Sequence, residues 1–268
     1  MGFALDVRGG LRVGAMSVAF AGTFLGLSSI PGRTGEEGTP EVQRHLAIAR
    51  AVVAAVRPEN NRYVHDSTVV WSDGLFSSEV MAFTDCSGFL GSVLRRAGNR
   101  TYDVVEAHSR FYAHHAHYPL ARDYYQSIVH GWGFENVGLN VASLRPGDVI
   151  AVLFPPGGGD TGHVMIVDAM PVPREASPPL VEGTAQWMVA ILDSSGGHGR
   201  ADSRFHGKEG PEQTGVGRGV VRLYTDVDGQ IVGYAWSLAK ASRFRDRADV
   251  PVAVGRPLPD IAAASTMP

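Results

Sequence analysis

The chain has 268 residues, 44% of them apolar and 19% charged, which is enough for one large domain with appendages and excludes wholesale disorder. With 24 Lys and Arg against 27 Asp and Glu, the net charge of −3 gives no electrostatic basis for nucleic-acid binding. A single cysteine, Cys86, excludes an intrachain disulfide and any Cys-rich zinc or iron–sulfur site.

Arg8 and Arg12 precede an apolar run from Val13 to Leu27, followed by Ser28, Ser29 and a polar stretch from Pro31 to Pro40. That is the order of a secretory signal, so 1–30 read as a signal peptide or N-terminal anchor and 31–40 as a linker. A buried N-terminal helix is the alternative. The run is about 15 residues, short for a membrane span, and no later segment is apolar enough to cross a bilayer once the signal is removed.

Val42, Leu46, Ala49, Val53 and Val56 share one face of a helix predicted between Pro40 and Val56. The polar segment from Arg57 to Val80 holds one short strand, Thr68–Trp71. Thr84 or Asp85 can then cap a helix that carries Cys86 in its first turn. Phe89, Leu90, Val93 and Leu94 repeat at helical spacing, Arg95 and Arg96 fall in the last turn, and Gly98 with Asn99 stops the helix. Val104 to Gly133 reads as two helical pieces broken at Pro119. A Pro146-Gly147-Asp148 turn leads into an apolar strand, and a Gly-rich turn (Pro155–Gly162) into a second, His163–Ala169. After a loop with four prolines, Trp187–Leu192 is a third strand ending at Asp193. Gly219–Tyr224 and Ile231–Trp236 flank Asp228-Gly229, a hairpin signal. The folded domain is expected over 41–246, and 247–268 as a flexible tail. Helices followed by consecutive strands predict an α+β architecture, with helices packed on one antiparallel sheet.

A thiol is a poor nucleophile until deprotonated, and a helix N-terminus and a nearby His both lower its pKa. Cys86 stands where a helix should begin, followed by the small residues Ser87 and Gly88. The first-turn N–H groups, free of intrahelical partners, can face a developing oxyanion. His163, opening a strand after a Gly-rich turn, offers the base.

Three segments carry a resemblance: DCSGFLGSVLRRAG (Asp85–Gly98), LRPGDVIAV (Leu144–Val152) and GHVMIVD (Gly162–Asp168). In that order they resemble the NlpC family of cell-wall cysteine peptidases, over roughly 62–195. The resemblance implies a papain-like fold with the nucleophile at a helix N-terminus and the His on the adjacent sheet. It makes Cys86 the nucleophile, His163 the base and Asp193, on the next strand, the residue that orients the imidazole, with His198 as the alternative. Asp85 and Ser87 either hold the free amine of a substrate or serve as a cap and a packing residue. Family members carry a Tyr-x-x-Gly-Gly stretch shortly before the Cys. Tyr63 is the nearest tyrosine here, with no glycine pair, so either a loop intervenes or the role is absent. The resemblance implies an exported, monomeric hydrolase without cofactor, acting on a peptidoglycan stem peptide or another amide. A related amidase or acyltransferase, or a non-catalytic envelope-binding protein, is the rival.

His114, His115 and His117 lack an acidic partner spaced for a metal site, so no metal is expected. Gly157-Gly158-Gly159 is no phosphate loop, since no Lys-Ser/Thr follows, and reads as a rim beside His163. Asp202 and Arg204 can order the loop after Asp193 by a salt bridge, with no catalytic role.

Overall fold

A computed structural model describes residues 43–72, 79–109, 117–207 and 213–258. The expected signal segment, His114 and His115, and the last ten residues lie outside these. Helix α1 (Arg44–Ala55) leads to three short strands, β1 (Asn61–Arg62), β2 (Thr68–Val70) and β3 (Met81–Phe83). These form a small sheet in the order β1-β3-β2. Helices α2 (Cys86–Ala97), α3 (Arg100–Ser109) and α4 (Ala121–His130) follow. The rest is strand: β4 (Phe134–Asn136), β5 (Val149–Leu153), β6 (Gly162–Val167), β7 (Val172–Arg174), β8 (Ala185–Ser195), β9 (Gly215–Thr225), β10 (Ile231–Ala235), β11 (Phe244–Asp246) and β12 (Val252–Pro257). They make one nine-stranded sheet in the order β11-β10-β9-β8-β6-β5-β12-β4, with β7 paired to β8.

The central strands are apolar at consecutive positions because both faces of the sheet are buried. Val149, Ala151, Val164, Ile166 and Ala253 pack on one side with Leu46, Phe89, Leu90 and Tyr124 from the helices. Their neighbours Ile150, Val152, Met165, Val167, Val252 and Val254 point to the other side. There they meet Val189, Ile191, Val221, Leu223, Ile231 and Tyr234 of the same sheet, and Val141, Leu144 and Val250 from connections. Among the described residues no α-helix contributes to this second core.

The expected papain-like α+β fold is therefore corrected: the chain forms a mostly β structure of two sheets, of three and nine strands, with four helices among the described residues. Helices cover only one face of the large sheet, and the other is filled by the sheet's own side chains and loops. The excess of strand comes from segments that read as connections. β1, β3, β4, β7 and β11 have two or three residues each, too few to show a period. The second correction is at the C-terminus, where the expected flexible tail contains β12. This strand lies between β5 and β4, with Val252 to Gly255 paired to Val152 to Val149. Prolines at 251 and 257 mask it in the sequence, since they sit at its ends, where a missing N–H costs least.

The helix boundaries follow local chemistry. Gly98 ends α2 in the left-handed region at φ 70°, its N–H bonded to the Arg95 carbonyl while Asn99 N–H reaches Leu94. Asp148 of the Pro-Gly-Asp turn accepts the Arg145 N–H at 2.8 Å and the Arg256 guanidinium of β12 at 2.8 and 3.0 Å. Among the described residues no helix is long and apolar enough to cross a membrane.

Deleting residues 251–268 should abolish cooperative unfolding, because it removes the strand between β5 and β4. Thermal melts of the full and shortened chains check this, and a matching transition in both would show β12 to be dispensable.

Candidate active site

Asp85 is extended (φ −86°, ψ −176°) and caps α2: its Oδ1 accepts the Gly88 N–H at 2.7 Å and the Ser87 hydroxyl at 3.0 Å. Cys86 is thereby the first residue of the helix, in the turn whose N–H groups have no intrahelical partner and at the positive end of the dipole. The cap is held from the large sheet. Ser194, next to Asp193 on β8, donates its hydroxyl to the Thr84 carbonyl at 2.6 Å. The strand carrying the third candidate thus fixes the start of the helix carrying the first.

Cys86 is 4% exposed and lines a cleft of about 320 Å³ with Tyr63, His65, Asp85, Ser87 and Asp160. Tyr63 reaches this cleft although it lies far from Cys86 in sequence, because β2 and β3 form the intervening segment. Its backbone N–H bonds the Thr214 hydroxyl at 3.1 Å, and Asn61 clamps Val216 of β9 through both amide atoms at 2.8 Å. The Tyr118 hydroxyl, which sequence reasoning did not single out as a partner of the capping residue, lies 3.0 Å from Asp85 Oδ2 and 2.6 Å from the His65 carbonyl, two acceptors that share its one hydrogen. Burial, followed by the negative charges of Cys86 and Asp85, holds the Tyr63 phenol well above its ordinary range. Burial and Asp85 do the same to Tyr118, so both remain neutral donors.

His163 stands across from Val152 of β5. Its Nε2 lies 2.7 Å from Asp193 Oδ2, which leaves Nδ1 as the ring nitrogen free to serve Cys86. The Trp236 indole lies edge-on to the imidazole at 4.7 Å and 68°. Burial lowers the pKa of His163, but the charge of Cys86 and the hydrogen bond with Asp193 outweigh it and push it up to about 10. The raised pKa favours the imidazolium form of His163. The preceding Gly162 is at φ 153°, and a Cβ there would overlap the Val152 carbonyl oxygen.

Asp193 is buried and shared. Oδ2 accepts from His163 and, at 2.8 Å, from His198 Nε2; Oδ1 accepts from Arg204 Nη2 at 2.9 Å. Burial would raise its pKa, yet the charges of His198 and Arg204 and the two imidazole bonds hold it well below the usual carboxylate range. Of the two sequence candidates for the third position, Asp193 touches His163, and His198 touches Asp193. Asp202 and Arg204 form the expected salt bridge at 2.7 Å, but Arg204 also reaches the site itself. A signal for this lay in Gly215-x-Gly217-x-Gly219 of β9. A Cβ at Gly217 would come within 2.6 Å of Arg204 Nε, and one at Gly219 within 2.5 Å of His198 Cδ2.

His163, Asp193 and His198 each place one ligating atom within 4.8 Å of the others, the composition of a metal site. Arg204 already compensates the carboxylate, and each Nε2 is directed at a carboxylate oxygen, so the arrangement is that of a hydrogen-bonded network.

No family model and no solved structure matches the chain, so the NlpC-type resemblance stays confined to the three segments that carry it. A protein of Acanthamoeba polyphaga mimivirus, described as uncharacterized protein R653, is 35% identical over 226 residues, covering 79% of this chain and 95% of the viral one.

Two outcomes check the site's construction. Gly162→Ala should cost roughly 2 kcal/mol or more, read by denaturant unfolding, since the strained φ and the backbone clash act together. Because the pKa of His163 is raised on folding, its contribution to stability is complete below about 6.5 and lost as pH rises towards about 10. Unfolding free energies of the wild type and His163→Gln, measured from pH 6 to 10.5, should converge with rising pH; a constant gap would contradict the assignment.

Proposed function

The chain belongs to one family with mimivirus protein R653, and we propose that it is a cysteine hydrolase that cleaves an amide bond through an acyl-enzyme. The observation that carries this reading is the Cys86 thiol at a capped helix N-terminus, in a cleft, and acting electrostatically on a histidine whose Nε2 is held by a buried carboxylate. The Cys86 thiolate attacks the carbonyl carbon, and first-turn N–H groups receive the developing oxyanion. The His163 imidazolium gives its proton to the leaving nitrogen as the C–N bond breaks, leaving a thioester. His163 then takes a proton from water as it attacks, the C–S bond breaks and the thiolate returns. Asp193 orients the ring and stabilises its charged form.

The substrate class in this reading is a peptide with a free amino group, and specifically a peptidoglycan stem peptide reached by export of the chain. Support comes from the local resemblance of the three segments, from the order of the N-terminal residues, and from Asp85 and Asp160 at the cleft. One oxygen of Asp85 is committed to the helix cap, so recognition of an ammonium would fall to Oδ2, with Tyr118 beside it.

Defined muropeptides incubated with the full chain, with products read by mass, test the reading. Hydrolysis is expected, with Cys86→Ala inactive but folded and Asp193→Ala slowed roughly 10²–10⁴-fold. Equal turnover by Cys86→Ala would remove the thiol from the mechanism.

A further inference from the structure

His198 is absent from the acyl-transfer steps above, yet it is buried and bonded at every polar atom of its ring. Nε2 faces Asp193 Oδ2 at 2.8 Å and Nδ1 faces the Trp236 carbonyl at 2.6 Å. A carbonyl and an ionised carboxylate only accept, so the ring meets both by carrying a hydrogen on each nitrogen. The charge count supports the same form. Asp193 and Asp202 contribute two buried negative charges, and Arg204 supplies one positive charge between them. A charged His198 supplies the second and leaves the cluster neutral, with the Cys86–His163 pair balanced separately.

The ring is also fixed in place. The backbone N–H of His198 donates to Asp202 Oδ2 at 2.7 Å, and its ring stacks on Trp236 at 4.6 Å and 26°. The absent side chain of Gly219 leaves the space that the ring fills. Trp236 therefore supports both histidines, stacking on His198 and standing edge-on to His163.

We propose that His198 is a positioning residue of this site: an imidazolium wedged between Asp193 and the Trp236 carbonyl, it aims Oδ2 at His163 Nε2 and so presents Nδ1 to Cys86. Arg204 holds the opposite carboxylate oxygen and prevents rotation. The inference rests on the reading of Cys86 as a nucleophile paired with His163. The charged and titratable groups facing His198 are Asp193, Asp202 and His163, with Arg204 behind the carboxylates.

The test is iodoacetamide labelling of Cys86 in the full chain across pH, comparing wild type, His198→Gln and His198→Ala, with folding followed by circular dichroism. Wild type should label well below the ordinary thiol pKa of about 8.5. His198→Ala should label about tenfold more slowly at pH 7, with its midpoint about one unit higher, and His198→Gln, which keeps one donor, should fall between them. A His198→Ala profile superimposable on a depressed wild-type profile would overturn the positioning role while leaving the nucleophile intact. A wild-type midpoint near 8.5 would instead remove the reading on which the inference stands. If His198→Ala does not fold, imidazole nitrogen shifts of the unaltered protein decide: two protonated nitrogens on His198 at pH 7 support the wedge, and one bare nitrogen refutes it.

Discussion

A carboxylate withdrawn from water costs several kcal/mol unless other charges and donors replace its hydration. Asp193 meets that requirement with His163 from β6 and with His198 and Arg204 from the connection between β8 and β9. Removing one partner would leave a buried charge partly exposed to a low dielectric. The position of each is therefore tied to the others, and the geometry around Cys86 inherits that constraint through His163 and through the bond from Ser194 to Thr84.

The sheet makes this convergence possible. Asp193 is paired with Gly217 on β9, and the alternate glycines on that strand leave room above the backbone for Arg204 and His198. Glycine in a strand weakens it by giving up packing and adding backbone entropy. Here the lost side-chain volume is refilled by the polar groups that neutralise Asp193. The long β8–β9 ladder, paired from Ala185–Thr225 to Ser195–Gly215, provides the rigidity that the glycines forgo.

The cleft has a different construction. Its walls are the α2 cap, the start of β6 and the segment leading into the small sheet, which Asn61 fastens to β9. His65 stands at the mouth, with Nδ1 3.6 Å from Asp85 and Nε2 3.9 Å from Asp160. Cys86 and His163 are thus buried beneath a polar opening, where electrostatic interactions act at lower dielectric than in water.

The sequence by itself determined the parts whose physics is local. The cap at Asp85, the helix carrying Cys86, its stop at Gly98, the strands beginning near Val149 and His163 and the hairpin at Asp228-Gly229 follow from turn chemistry and apolar period. Cys86 and His163 could be named because each opens such an element, whereas Asp193 was reached only through the resemblance. Tertiary structure alone decided the rest. Strands of two or three residues exist because neighbours pair with them, and β12 is a strand because β5 and β4 leave a gap that its proline-flanked ends do not betray. The mostly β character arose likewise, since no pattern along the chain tells whether helices or the sheet itself will cover a buried face. The division of labour between Asp193 and His198 was also beyond the sequence. Five residues apart, either could face His163, and the choice rests on which oxygen and which ring nitrogen the packed strands bring within hydrogen-bond distance.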